Sequence, residues 1–295
     1  MLRIVLFVLT NLAIMLVLSV VASIFGLDRW AYAHAHINMS GLLLWCALFG
    51  MGGSLISLLL SKTMAKMSVG AQVIAQPRNA SEQWLFDTVA QHARNAGIGM
   101  PEIAIYAAPD MNAFATGASK NHALVAVSTG LLDSMNRDEV SAVLGHEITH
   151  VANGDMVTLA LLQGVLNTFV MFLARVLGSI IDGALRGDRD RDEGGYGLGY
   201  FLISFVLQMV LGVLATLIVM WFSRWREFRA DAGGARLGGR QAMISALQTL
   251  SGNRGESMLP KAVQAFGISG EGGLSRLFMS HPPIAERIAA LQAMH

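Results

Sequence analysis

The stretch His146-Glu147-Ile148-Thr149-His150 decides how this chain is read. On a helix, residues four apart lie on one face, one turn above the other. Two imidazoles at 146 and 150 can then grip one metal ion, and Glu147, beside the first, can reach a water bound to it. This is the HExxH spacing, in which paired histidines bind zinc and the Glu acts as general base. The helix is predicted to begin near Asn136 or Arg137. Asn153-Gly154 supplies its stop, and Asp155 can cap the segment that follows.

Outward from the motif, the chain is apolar. Of its 295 residues, 54% are hydrophobic and 14% are charged, against about 25% charged in soluble domains. Uncharged runs cover residues 4–26, 37–61, 156–174 and 194–223, the third continuing past Arg175 to Ile181. Each is long enough for a membrane-spanning helix, which needs about 20 residues. In the second run, Gly41, Gly50, Gly52, Gly53 and Ser54 would let another helix approach closely. His34 and His36 read as interfacial polar residues. Arg3, Lys62, Lys66 and Arg78, and then Arg224, Arg226 and Arg229, flank the runs. By the positive-inside rule they place both termini, 62–155 and 224–295 in the cytoplasm. The loop over 182–193 is net acidic, as the opposite side permits, and the Gly-rich piece after it is a loop entering the membrane. A net charge of +1 gives no support to nucleic acid as a partner. A single cysteine, Cys46, excludes an internal disulfide framework.

The predicted organisation is two transmembrane helices over 1–62, a first part of a cytoplasmic domain over 63–155, a transmembrane hairpin over 156–223, and a second part over 224–295. The fold class is therefore a polytopic α-helical membrane protein with an α+β cytoplasmic domain interrupted by the hairpin. Within that domain, 81–96 has helical spacing, with Ser81 as cap, Gly97 as stop and His92 on the surface. Residues 102–106, 112–117 and 123–128 read as strands of a small sheet, with a turn through Ser119, Lys120, Asn121 and His122. Pro282-Pro283 leads into a final helix over 284–293.

A hydrolytic zinc site has three protein ligands and an open position. The segment after the fourth run reads RWREFRAD, in which Glu227 and Asp231 share a helix face. Alone, it is also a solvated ion-pair helix. With HExxH on the same side of the membrane, Glu227 completes a His2Glu set, and Asp231 can accept a hydrogen bond from a ligand histidine. His150 and Glu227 each lie a few residues from an apolar run. At 1.5 Å per residue, the metal is expected roughly 6–10 Å beyond the hydrocarbon boundary.

HEITH at 146–150, EFRAD at 227–231, NAFA at 112–115 and SHPP at 280–283 together resemble the HtpX family of membrane-bound zinc endopeptidases, gluzincins related to the CAAX prenyl endoproteases. The resemblance covers essentially the whole chain. It implies one Zn2+ per chain on His146, His150 and Glu227, with Glu147 as general base. It implies that Asn112, Ala113, Phe114 and Ala115 lie along the cleft, where a substrate backbone can pair with them, and that His281 and Arg287 lie close to the reacting centre. His281 is the expected oxyanion donor ahead of Arg287. The chain has fewer spans than the prenyl proteases, which argues against prenyl-protein substrates. The activity implied is cleavage of misfolded or damaged membrane proteins at the cytoplasmic face of a bacterial inner membrane, in quality control and stress response. The competing reading is a non-catalytic zinc-binding holdase or scaffold; Glu147 argues against it, since a structural zinc site has no need of that carboxylate.

Overall fold

A computed structural model describes residues 38–186, 198–252 and 279–294, together with Val20 and Ile24. Most of the first predicted span, His34 and His36 lie outside these residues. Three described helices are long and apolar enough to cross a membrane. Numbered in chain order among the described helices, they are α1 (Met39–Val69), α5 (Asp155–Arg186) and α6 (Leu198–Gly238). All three outrun the uncharged segments that announce them. Helix α1 continues past residue 61 to Val69, and α5 runs into the stretch read as an acidic loop, as far as Arg186. Leu198–Tyr200 is helical rather than loop. The fourth run and the RWREFRAD segment form one helix of 41 residues. No proline interrupts it, and helix propagation adds a hydrogen bond per residue at little cost.

The chain divides into two compact units, one of Met1–Ile56 with Ala160–Val219, the other of Ser57–Leu159 with Met220–His295. In the first unit, α1 and α5 touch through small residues. A Cβ added to Gly50 would lie 2.7 Å from the backbone nitrogen of Thr168, and Gly164 faces Ser54 in the same way. Gly52 and Gly53, expected to share this role, meet nothing within 4 Å. Cys46 is buried with Met39, Leu43 and Phe172. The Arg175 guanidinium lies 4.8 Å from the Trp45 ring centroid and donates to the Met171 carbonyl.

The second unit is built on a four-stranded sheet of order β1-β2-β4-β3: β1 Gln72–Val73, β2 Glu102–Tyr106, β3 Ala113–Thr116 and β4 Leu124–Ser128. Strand β2 runs parallel to β4, and the other two pairings are antiparallel. Side chains alternate between faces with period two. Ile103, Ala115, Val125 and Val127 point to one side, against Leu85 and Val89 of α2 (Ala80–Asn95) and Val140, Leu144 and Ile148 of α4 (Arg137–Asn153). Ala104, Tyr106, Leu124 and Ala126 point to the other, against Val69, Ala71 and Phe114. The far side of α4 carries α7 (Arg240–Gly252) and α8 (Ile284–Gln292), packed through Ala142, Met243, Leu247 and Leu291. The motif helix is thus sandwiched between the sheet and two later helices.

Local readings are corrected at three points. Asn79, not Ser81, caps α2, its side chain accepting from the Glu82 nitrogen at 2.8 Å. His92 is buried rather than on the surface; its Nε2 lies 3.0 Å from both the carbonyl and the hydroxyl of Ser141 on α4. Strand β1, α7 and the short helix α3 (Thr129–Ser134) were not anticipated.

Candidate active site

Helix α4 is delimited sharply at both ends, and this sets the height of the motif. Asn136 accepts from the nitrogens of Asp138 and Glu139, while the Glu139 carboxylate accepts from the Asn136 nitrogen, a complete capping box. Glu139 also accepts from Ser245 and Thr249, which ties α7 to the start of α4. At the other end Gly154 is left-handed (φ 64°) and its nitrogen donates to the His150 and Val151 carbonyls. A residue without Cβ takes this conformation at no steric cost. A single residue separates the two helices, and α5 begins at Asp155.

The third candidate ligand is delivered by a close crossing of α4 and α6. A Cβ on Gly238 would lie 2.5 Å from the Cα of Ala142, and one on Gly145 would lie 3.0 Å from Leu237 Cβ. Glycine at these positions lets the backbones approach, and Glu227 and Asp231 come to face the histidines. The His150 and His146 Nε2 atoms are 3.1 Å apart. Glu227 places Oε1 3.2 Å from His150 Nε2 and Oε2 3.6 Å from His146 Nε2. One ligand atom from each of the three residues falls within 4.8 Å of the others, and all three residues are buried. The donor set of two imidazoles and a carboxylate suits zinc.

Behind the ligand atoms, each histidine has a carboxylate. His146 Nδ1 is 2.9 Å from Asp231 Oδ1. His150 Nδ1 donates to Asp155 Oδ2 at 2.6 Å. A carboxylate accepts only, so on His150 the Nδ1–H is fixed and Nε2 is the atom turned to the centre. This fit with a metal lies in the residues themselves. Each carboxylate has its own arginine. Arg287 grips Asp231 with two donors at 2.6 and 2.7 Å. Arg226 donates to the Asp155 carbonyl at 2.8 Å, and its Nε lies 3.3 Å from Asp155 Oδ2. Sequence reading did not find Asp155 or Arg226: the first passed for a helix cap, the second for a membrane-flanking charge.

Charge in this pocket is shifted accordingly. Burial raises the Glu147 carboxyl above its ordinary range, against the pull of His146 and His150. Burial would lower His150, but its hydrogen bonds to Asp155 and Glu227 outweigh it and push the imidazole up to about 10. Burial also opposes ionisation of Glu227, yet hydrogen bonds from His150 and His281 hold it far below the usual carboxylate range. Asp231 is likewise held low by Arg287 and His146 despite its burial.

His281, Arg287 and the NAFA segment also have definite places. His281 Nδ1 lies 2.7 Å from Glu227 Oε2, with its side chain 58% exposed. Arg287 is buried, and its Nη2 stands 3.6 Å from Glu227 Oε2. Strand β3 is one edge of the sheet and β1 the other. The Ser128 nitrogen donates to the Asn112 carbonyl, and Phe114 faces Ala126 two residues on. In an antiparallel pair, hydrogen-bonded positions alternate. The main-chain groups of Ala113 and Ala115 therefore point away from β4.

The model for peptidase family M48 matches residues 79–295, which contain every residue of this site. The chain belongs to peptidase family M48. Among the M48 relatives, "Protease HtpX" of Xanthomonas euvesicatoria pv. vesicatoria (strain 85-10) is 63% identical over 293 residues, 99% of this chain and 97% of that protein. "Protease HtpX" of Xanthomonas campestris pv. campestris (strain B100) is 62% identical with the same coverage. The crystal structure of S. mikatae Ste24p matches with a TM-score of 0.56 at 20% identity, covering 95% of this chain and 67% of that one, a likeness of fold. M48 membership and three apolar helices make this chain a membrane-bound metalloprotease, with a metal cofactor and polypeptide substrates.

Proposed function

We propose that the chain is a zinc endopeptidase that cleaves misfolded or damaged membrane proteins at the cytoplasmic face of a bacterial inner membrane, in quality control under stress. The observation that carries the chemistry is the convergence of His146, His150 and Glu227 beside Glu147. His146, His150 and Glu227 would hold one Zn2+, which would supply Lewis acidity and lower the pKa of a water toward 7. Glu147, raised by burial, takes the proton of the attacking water and returns it to the departing amine nitrogen. His281, bound to Glu227 through Nδ1, turns the remainder of its exposed ring toward solvent and serves as oxyanion donor. Arg287, held by Asp231, keeps the His146 carboxylate partner in place rather than gripping substrate. Ala113 and Ala115 pair with the extended substrate backbone as an added strand. Asn112 and Phe114 hold that strand in register on β4.

The membrane-protein preference rests on the chain itself. Met156, where an uncharged run starts, comes six positions after His150, and Glu227 follows the last run by four positions. A metal centre so placed meets loops and tails near the bilayer surface before it meets dispersed proteins. The basic residues flanking the runs put that surface on the cytoplasmic side, and the protease domain is read as two parts, 63–155 and 224–295, around the hairpin 156–223. A net charge of +1 argues against nucleic acid as a partner. The test is Glu147→Gln in purified, zinc-loaded protein. We expect retained zinc and a 10²–10⁴-fold loss of peptide hydrolysis, the range for a lost general base. Cleavage of an unfolded membrane-protein substrate by the variant at the wild-type rate would refute Glu147 as the general base, and no cleavage by the zinc-loaded wild type would leave the holdase reading in its place. Substrate preference is checked by comparing a tail-anchored substrate in liposomes with the same polypeptide in solution; equal rates sink the membrane assignment.

A further inference from the structure

Each of the two histidines is backed by an aspartate, and each aspartate by an arginine. The two arrays are built from different parts of the chain. His146, Asp231 and Arg287 join α4, α6 and α8. His150, Asp155 and Arg226 join α4, the first residue of α5 and α6. All six side chains are buried, with Arg226 at 4% and Asp155 at 6% exposure. A buried guanidinium is retained at a cost unless it is paired. Arg226 is the residue just before the candidate ligand Glu227, and its partner comes just five residues after the candidate ligand His150.

We propose that Arg226 and Asp155 are positioning residues that act as one unit on His150, fixing its ring orientation and through it the metal affinity of the site. The inference rests on the zinc-peptidase reading above. Asp155 accepts from His150 Nδ1 at 2.6 Å, which directs Nε2 toward His146 and Glu227. Arg226 holds Asp155 at two points. Its Nη1 donates to the main-chain carbonyl at 2.8 Å, and its Nε lies 3.3 Å from the same Oδ2 that His150 uses. The fork geometry of arginine is suited to this double contact, and a lysine ammonium is not. Arg226 therefore acts on the metal site through Asp155 and not by touching substrate. Partners of ligand histidines of this kind are worth 10–100-fold in metal affinity.

The experiment uses the full chain in detergent, with Zn2+ affinity from chelator competition and the visible absorption of the Co2+-substituted protein as readouts. Asp155→Asn should weaken Zn2+ binding 10–100-fold and shift the Co2+ bands. Arg226→Met should weaken it about tenfold. The double variant should be no weaker than Asp155→Asn alone, because Arg226 reaches His150 only through the Asp155 carboxylate, and this coupling is the signature of a shared unit. Arg226→Lys, if the methionine variant does not fold, gives the same comparison with a smaller effect. Losses that multiply in the double variant overturn the proposal, as does wild-type Zn2+ affinity and an unchanged Co2+ spectrum in either single variant. Glu227→Ala separates this from the underlying reading. If the wild type binds one Zn2+ and Glu227→Ala does not, the zinc site stands whatever Asp155 and Arg226 do. If the wild type binds none, the reading itself fails.

Discussion

Replacing Asp231 by alanine removes one carboxylate and leaves two buried groups stranded. Asp231 is 1% exposed and Arg287 8%. The carboxylate accepts two short hydrogen bonds from Arg287, at 2.6 and 2.7 Å, and stands 2.9 Å from His146 Nδ1. The lost attraction is the smaller part of the cost. The larger part is a guanidinium left in the interior, 3.6 Å from Glu227. Breaking a buried pair from one side costs about 3–5 kcal/mol. For a unit of this size about 2–4 °C of melting temperature accompany each kcal/mol, so the apparent transition should fall by roughly 6–20 °C. His146 also loses the acceptor that fixes its ring, so Zn2+ affinity should fall 10–100-fold. The Asp231→Ala/Arg287→Met pair removes both charges and should recover part of the lost stability but none of the metal affinity. Thermal unfolding of the metal-free protein in detergent reads the first effect, and chelator competition the second. A single variant melting within about 2 °C of wild type, or a double variant no better than the single, would refute the reasoning that the pair is a buried, mutually dependent one.

Three further outcomes follow from the geometry. Gly50→Ala brings a methyl to 2.7 Å from the Thr168 backbone and should lower stability by about 1–3 kcal/mol; Gly53→Ala, facing open space, should raise it by up to about 1 kcal/mol, with melting in detergent deciding between them. In the metal-free protein His150 is pushed up to about 10, so its contribution to stability is full below about pH 6.5 and disappears as pH rises through 10. Zinc must expel that proton, so Zn2+ affinity should climb about tenfold per pH unit between 7 and 9; a flat competition profile over that window counts against the array around His150. Ala113→Pro deletes an outward N–H of the edge strand, where proline is tolerated, and should raise KM for an unfolded substrate about fivefold, the equivalent of about 1 kcal/mol, with melting unchanged; an unaltered KM detaches β3 from substrate.

Much of the site was readable because its spacing is short-range. HExxH, the Asn136 cap and the Gly154 stop obey local rules, and the structure places all three where those rules put them. Glu227 and Asp231 could be paired as helix neighbours four apart. Arg226 was obscured by company: with Arg224 and Arg229 it reads as a cluster of membrane-flanking charges. Yet Arg226, Glu227, Ala230 and Asp231 are all buried, and positions i, i+1, i+4 and i+5 share one helix face. That face could have been drawn before any coordinates. His92 was missed for a related reason. It follows Leu85 and Val89 at i+7 and i+3 on the buried side of α2, but its polarity was given more weight than its position. Strand β1, two residues long, and the partnership of α7 with Glu139 depend on contacts distant in sequence, for which no local pattern exists.

The one-residue break at Gly154 has a consequence for how the sequence can vary in length. His150 and Asp155 are five residues apart, and the link between them is one left-handed glycine that ends α4 and starts α5. One residue inserted into the helix there would swing Asp155 about 100° around the axis and carry it 1.5 Å along, off the imidazole it serves. A deletion does the same in the opposite sense. In the turn between β3 and β4, Ser119 to His122 are exposed, and exposed turns of this kind absorb added residues readily. The interval 150–155 therefore works as a ruler: its side chains can be exchanged one at a time, but its length and the entry angle of the helix that follows are inherited together.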